Sequence, residues 1–168
     1  MRKTLNDEHI LLIGRIILAC SKLEHRVAVA IVVHEFGLGT KPNEGLHKER
    51  YRQIARKPFR KRLEILEKIL AVLDIEVDEK GQIIDALNGV IKWRDALSHG
   101  LFQITEKNEI ELTFWDRTSF HDGVGPKTKN FPQIELVQLL EVIISLGQWL
   151  DSQFKLQDHK QILAEGAL

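Results

Sequence analysis

Residues 82–114, QIIDALNGVIKWRDALSHGLFQITEKNEIELTF, change their hydrophobic period midway, and that change decides the fold. Up to Leu97 the apolar residues keep helical spacing, with Ile83, Leu87, Val90 and Leu97 on one stripe. After Gly100 the period falls to two. Phe102 and Ile104 alternate with Gln103 and Thr105, and Ile110, Leu112 and Phe114 alternate with Glu111 and Thr113. Glu106-Lys107-Asn108 separates the two runs, which predicts a β-hairpin over about 101–115 with one buried face. A helix over about 82–98 therefore runs straight into a hairpin.

Outward from this junction the chain is helical. Upstream, Pro58 suits a first helical position, and Phe59, Leu63, Leu66, Leu70 and Leu73 predict a helix over about 58–73. Asp74 to Gly81 reads as a polar turn, and residues 37–57 as mostly loop with a short helical piece. The first helix is expected over about 6–36, with Leu12, Ile16, Ala19, Leu23, Val27, Ala30 and Val33 on a stripe and Gly37 as its stop. Downstream, Asp116 to Phe131 reads as a long loop. A fourth helix over about 132–155 carries Ile134, Val137, Leu140, Ile143, Ile144, Leu150 and Phe154, and the last dozen residues read as a fraying end. The economical arrangement is all-α: a single domain, 1–168, in which a four-helix bundle carries a β-hairpin between its third and fourth helices.

Composition bounds the rest. Lys plus Arg and Asp plus Glu both total 24 in 168 residues, so net charge argues for no polyanionic partner and no anionic membrane. With 43% hydrophobic and 29% charged residues the chain reads as an ordinary soluble globular protein. Cys20 is the sole cysteine, which excludes an internal disulfide; with no secretory signal, a cytoplasmic setting is expected. The most apolar stretch, Ile10 to Val33, is broken by Arg15, Lys22, Glu24, His25 and Arg26, so no membrane span is expected.

One residue breaks the stripe of the third helix. Arg94 falls where the pattern calls for a leucine, and a guanidinium there must be paired or face a cleft or a partner chain. Five residues on, His99 meets the helix end, and Gly100 suits a left-handed position that would make His99 the C-cap. The helix dipole and Asp95 at i−4 both favour a charged imidazole, so His99 is a candidate to exchange a proton near neutral pH. Arg94 and His99 lie about 140° apart on an ideal helix, so Arg94 reaches around or a second chain completes the site.

Arg94-Asp95-Ala96-Leu97-Ser98-His99, at the end of a third helix, resembles the R-x4–6-H motif of the HEPN superfamily of helical domains, including that family's preference for a polar residue after the arginine. The resemblance implies metal-independent RNA cleavage by a homodimer whose two motifs share a cleft. Arg94 would hold and polarise the phosphate, His99 would activate or protonate an oxygen, and Asp95 would orient one of them. It implies no cofactor and no metal, a toxin–antitoxin or phage-defence setting, and an antitoxin or other regulatory protein as a further partner. A tyrosine that some members carry two residues after the histidine is replaced by Leu101, which removes support for control by its modification. Other members bind nucleotides or proteins without cutting, so a non-catalytic module is the alternative. A third reading is a helical interaction protein in which Arg94 forms a buried structural pair with Glu24 of the first helix.

The zero net charge also hides a segregation. Between His47 and Arg62 eight cations face one acid, Glu49, a local +7; Leu63 to Glu79 then carries six acids against Lys68, a local −5. Arg50, Tyr51, Arg52, Arg56, Lys57, Arg60 and Lys61 form a candidate RNA-binding arm, in which bases would stack on Tyr51 and Phe59. A solvated face, or a partner for the acidic run, is the competing reading. His25, His34, His47 and His121 lack metal-site spacing, His47 and His121 being placed in loops. Thr118, Ser119, His121 and Asp122 crowd one loop without the separation of a catalytic triad. Gly37-x-Gly39 and Gly123-x-Gly125 lack a dinucleotide fingerprint's third glycine, and Trp93, Trp115, Trp149 and Cys20 read as core or interface residues.

Overall fold

The structure is a computed structural model that describes residues 5–37, 44–107, 109–115 and 125–156. It is mostly helical, with a small three-stranded antiparallel sheet. The first helix, α1, runs Asp7–Phe36. The Asn6 side chain accepts a hydrogen bond from the His9 amide at 2.9 Å, and Asp7 and Glu8 place negative charge in the first turn. Gly37 ends the helix at φ 89°, a conformation that favours glycine, and its N–H donates to the His34 carbonyl. Every residue from Val27 to Val33 is fully buried, because α1 touches each of the other four described helices. It is the axis of the core.

Residues expected to be mostly loop instead form α2, Glu44–Ala55, a fifth helix. It buries only Ile54 and His47 among its described side chains, too little apolar residue for a visible stripe. His47, assigned to a loop, is stacked on the Phe36 ring at 4.1 Å. The third helix, α3, spans Phe59–Val72 and buries Phe59, Leu63, Leu66 and Leu70 as its spacing predicts.

Helix α4 spans Val77–His99 and so begins five residues earlier than the polar turn suggests. Asp78 and Glu79 are polar because they occupy the first turn, where the dipole favours acids. Glu79 is further held by the Trp149 indole N–H at 2.7 Å.

Strands β1, Leu101–Ile104, and β2, Ile110–Phe114, form the expected hairpin, with Phe102 opposite Leu112 and Ile104 opposite Ile110. A third strand, β3, Lys127–Phe131, pairs antiparallel with β2 and corrects the end of the long-loop reading. Four of its five residues are exposed and only Phe131 is buried, so no alternation marks it in the sequence. Residues 116–124, with Thr118, Ser119, His121, Asp122 and Gly123, lie outside the described residues, as does Gly39.

The last helix, α5, spans Gln133–Gln153. Its buried face is Leu136, Leu139, Ile143, Leu146 and Leu150, which leaves Ile134 and Ile144, expected on the stripe, exposed. In a helix this apolar, several faces fit the spacing, and the packing against α1 selects one. No helix among the described residues is long and apolar enough to cross a membrane.

Candidate functional site

The departure of Arg94 from the apolar stripe is resolved by a carboxylate on α1. Glu24 lies on the buried side of that helix, one turn from Cys20 and three residues before Val27. Arg94 Nη1 donates to Glu24 Oε1, and its Nε and Nη2 donate to Asp95 Oδ1 at 3.0 and 2.7 Å. Asp95 therefore orients the arginine.

A second guanidinium completes the cluster. Arg62 of α3 donates through Nη2 to Glu24 Oε2 at 2.7 Å and through Nη1 to the Glu24 backbone carbonyl at 2.9 Å. Its side chain is 8% exposed and its guanidinium lies 5.1 Å from the Phe59 ring centre. Helices α1, α3 and α4 thus each send one charged group to a common point, where one carboxylate holds two arginines.

The two arginines shift in opposite directions. Burial lowers the Arg62 pKa against the attraction of Glu24. For the more exposed Arg94 burial also acts downward, but hydrogen bonding to Asp95 and the charge of Glu24 outweigh it and raise the pKa. Both remain charged at any physiological pH. The buried Cys20 thiol is pushed up to about 11, first by burial and then by the negative charge of Glu24. It is an inert core thiol near neutral pH.

Arg62 is the site residue that the sequence pattern hides, because it stands at the end of the basic run. The signal was present: position 62 is three residues after Phe59 and four before Leu66, on the stripe that buries α3.

His99 is the last residue of α4 and is exposed to solvent. Gly100, not His99, is the C-cap, and its φ of −84° and ψ of 158° are extended, which corrects the left-handed reading. The glycine is required by space. A methyl group there would lie 2.5 Å from the Ala96 carbonyl oxygen and overlap the Leu112 side chain. Among the described residues no hydrogen bond or ion pair joins His99 to Arg94, consistent with their angular separation on the helix.

The basic arm divides in two. Arg50 is committed to Glu35, with Nε and Nη2 donating at 2.6 and 2.7 Å, and Lys61 to Glu64 at 2.9 Å. The Tyr51 hydroxyl is hydrogen-bonded to His25 Nδ1 at 2.7 Å, with the rings edge to face, and Phe59 is 5% exposed. Phe59 thus belongs to the core, and Tyr51 is half-buried against His25. The side chains of Arg52, Arg56, Lys57 and Arg60 are exposed and form no hydrogen bond or ion pair among the described residues. They gather at the end of α2, the following turn and the start of α3.

No group of three or more His, Cys, Asp or Glu among the described residues is arranged to hold a metal ion. Fold and site together define a helix-rich protein with a small sheet and a three-helix arginine–carboxylate cluster. In comparisons with known proteins, no family model, no curated protein and no solved structure matches the chain.

Proposed function

We propose that this chain is a HEPN-like, metal-independent endoribonuclease that acts as a cytoplasmic homodimer, the RNA being cut in a cleft shared by two α4 ends. In this reading α1, α3, α4 and α5 are the four helices of the bundle and α2 is an addition. The observation that carries the reading is the C-terminal end of α4: a guanidinium fixed by Asp95 and Glu24, followed by an exposed histidine at the helix terminus. A guanidinium suits the oxygens of a phosphodiester, and Arg52, Arg56, Lys57 and Arg60, which form no hydrogen bond or ion pair among the described residues, supply backbone contacts for a single strand.

The chemistry follows from those groups. His99 takes the proton of a ribose 2′-hydroxyl as that oxygen bonds to phosphorus. The bond from phosphorus to the 5′ oxygen breaks, and an imidazolium returns a proton to the leaving oxygen. Arg94 stabilises charge on the non-bridging oxygens during the transfer. Because His99 and Arg94 of one chain point to different sides of α4, the partner protomer supplies the missing member of the pair. A toxin or phage-defence setting, with an antitoxin or other regulator as partner, belongs to this reading through the family resemblance.

The test is RNA cleavage in excess chelator. His99→Ala should lower the rate by roughly 10²–10⁴-fold and Arg94→Ala by roughly 10²–10³-fold. His99→Ala should leave stability within about 0.5 kcal/mol of wild type, because the side chain is exposed. Cleavage that requires a metal, or that survives both substitutions, overturns the mechanism.

The contact between Arg94 and Glu24 favours a second reading, a helical interaction protein in which the cluster only ties three helices together. RNA binding without cleavage, weakened by salt, would point to the alternative, a non-catalytic module.

A further inference from the structure

A phosphate-binding arginine that is already bound to a carboxylate has an occupant, and the geometry around Glu24 describes it. Its two carboxylate oxygens are divided between two guanidinia from different helices, Arg62 of α3 and Arg94 of α4. A phosphodiester also offers two non-bridging oxygens, and guanidinium groups bind both anions in the same forked manner. With Asp95 on the outer side of Arg94, two cations face two carboxylates, so positive charge is uncovered only when the Glu24 carboxylate turns away.

The cluster is graded from surface to interior. Side-chain exposure falls from 54% at Asp95 through 30% at Arg94 and 15% at Glu24 to 8% at Arg62. An anion entering from solvent therefore passes Asp95, meets Arg94 next and reaches Arg62 last. Arg62 also keeps a donor that Glu24 does not satisfy: its Nε is buried and has no hydrogen-bond partner. Its bond to the Glu24 backbone carbonyl does not depend on the carboxylate, so Arg62 stays anchored if that side chain turns away.

We propose that Arg62 and Arg94 form the seat of an RNA phosphodiester, and that the Glu24 carboxylate is its built-in occupant, displaced when the phosphate enters. This rests on the ribonuclease reading and adds a second phosphate-binding residue to it, together with an internal competitor that sets substrate affinity. It separates from a purely structural cluster by what the gain in affinity depends on. Removing the Glu24 charge weakens the fold and favours anions in either case, but only a seat loses that gain when the Arg62 fork is replaced by an ammonium.

The experiment measures thermal unfolding of the full chain at constant ionic strength, titrated with inorganic phosphate or with a 2′-O-methyl tetraribonucleotide that cannot be cleaved. Glu24→Gln should melt below wild type in chloride alone. Its apparent dissociation constant for both ligands should be smaller than that of wild type by roughly 5–150-fold, the usual range for coupled sites. Arg62→Lys in the Glu24→Gln background should abolish the gain, because an ammonium cannot reproduce the fork.

If Glu24→Gln does not fold, Glu24→Asp carries the same test. It keeps the charge but is one methylene too short to span both guanidinia, and its ligands should again bind at least about fivefold tighter than to wild type. Equal affinities in wild type and variant overturn the seat, and a gain for phosphate without the tetranucleotide overturns its assignment to RNA. RNA cleavage is scored separately. Cleavage by wild type without a gain in the variant removes the seat and leaves the ribonuclease; a gain without cleavage does the reverse.

Discussion

Glu24, Arg62 and Arg94 are one electrostatic unit, but their removal is not equivalent. Arg62 is nearly buried and contacts both the carboxylate and the carbonyl of Glu24, so Arg62→Ala removes most of the compensation for a desolvated charge. It should cost about 3–5 kcal/mol. Arg94 is more exposed and its loss leaves Glu24 held by Arg62, so Arg94→Ala should cost nearer 1 kcal/mol. Urea midpoints with unchanged m-values would check this order, and an equal cost would contradict it. Cys20 reports on the same unit through pH. Its thiol is raised from an ordinary 9.0 to about 11, so the folded state binds that proton more tightly than the unfolded chain. The resulting stability is complete below about pH 9 and is lost as pH rises through about 11. A shift of this size corresponds to about 2–3 kcal/mol. The difference in unfolding free energy between wild type and Cys20→Ala should therefore shrink across that window, and a pH-independent difference would refute the linkage. Of these residues, Arg94 was legible because a charge interrupts an otherwise apolar stripe. Arg62 was not, because seven other cations surround it in sequence and hide its helical position.

At the scale of elements, periodicity finds what is amphipathic and misses what is not. Helices α1, α3 and α5 lie close to their expected bounds because each buries a continuous face. Helix α2 covers α1 with little more than Ile54 and His47, and β3 buries only Phe131, so neither leaves a pattern to count. Their existence depends on neighbours: β3 on the exposed backbone of β2, and α2 on contacts that include the Arg50–Glu35 pair and the His25–Tyr51 bond to α1. The junction between α4 and β1 was legible in position and misread in kind. Gly100 is needed because the chain passes within contact of Leu112 and the Ala96 carbonyl, not because of a left-handed turn. Gly100→Ala should thus destabilise by about 1–3 kcal/mol, the ordinary cost of overpacking. Since the substitution displaces the residue next to His99, it should also lower cleavage, and a stable, fully active Gly100→Ala would show that the close approach is not needed.

For the whole molecule, an even count of charges conceals how they are used. Arg50, Lys61, Arg62 and Arg94 are spent on internal acids, whereas Arg52, Arg56, Lys57 and Arg60 have no such partner among the described residues. Local imbalance in the sequence located the basic run, but only packing separates the committed cations from the others. The motif at the end of α4 raises a similar question, because spacing along one chain says nothing about which chain completes a site. Arg94 turns inward to Glu24 and Asp95 while His99 stands at the solvent-exposed helix end. A self-contained site would need both groups on one side of α4; a shared cleft needs only that the arginine of one protomer meet the histidine of the other. Mixing inactive Arg94→Ala and His99→Ala chains distinguishes the two. With free exchange about half of the dimers are mixed, and each mixed dimer keeps one intact Arg94 and one intact His99 on opposite protomers. The mixture should cleave RNA at least about tenfold faster than either variant alone, a gain that corresponds to about 1.4 kcal/mol of restored transition-state stabilisation. Activity no greater than the sum of the separate variants, in a mixture shown to exchange subunits, would place each site within a single chain and remove the reason for a shared cleft.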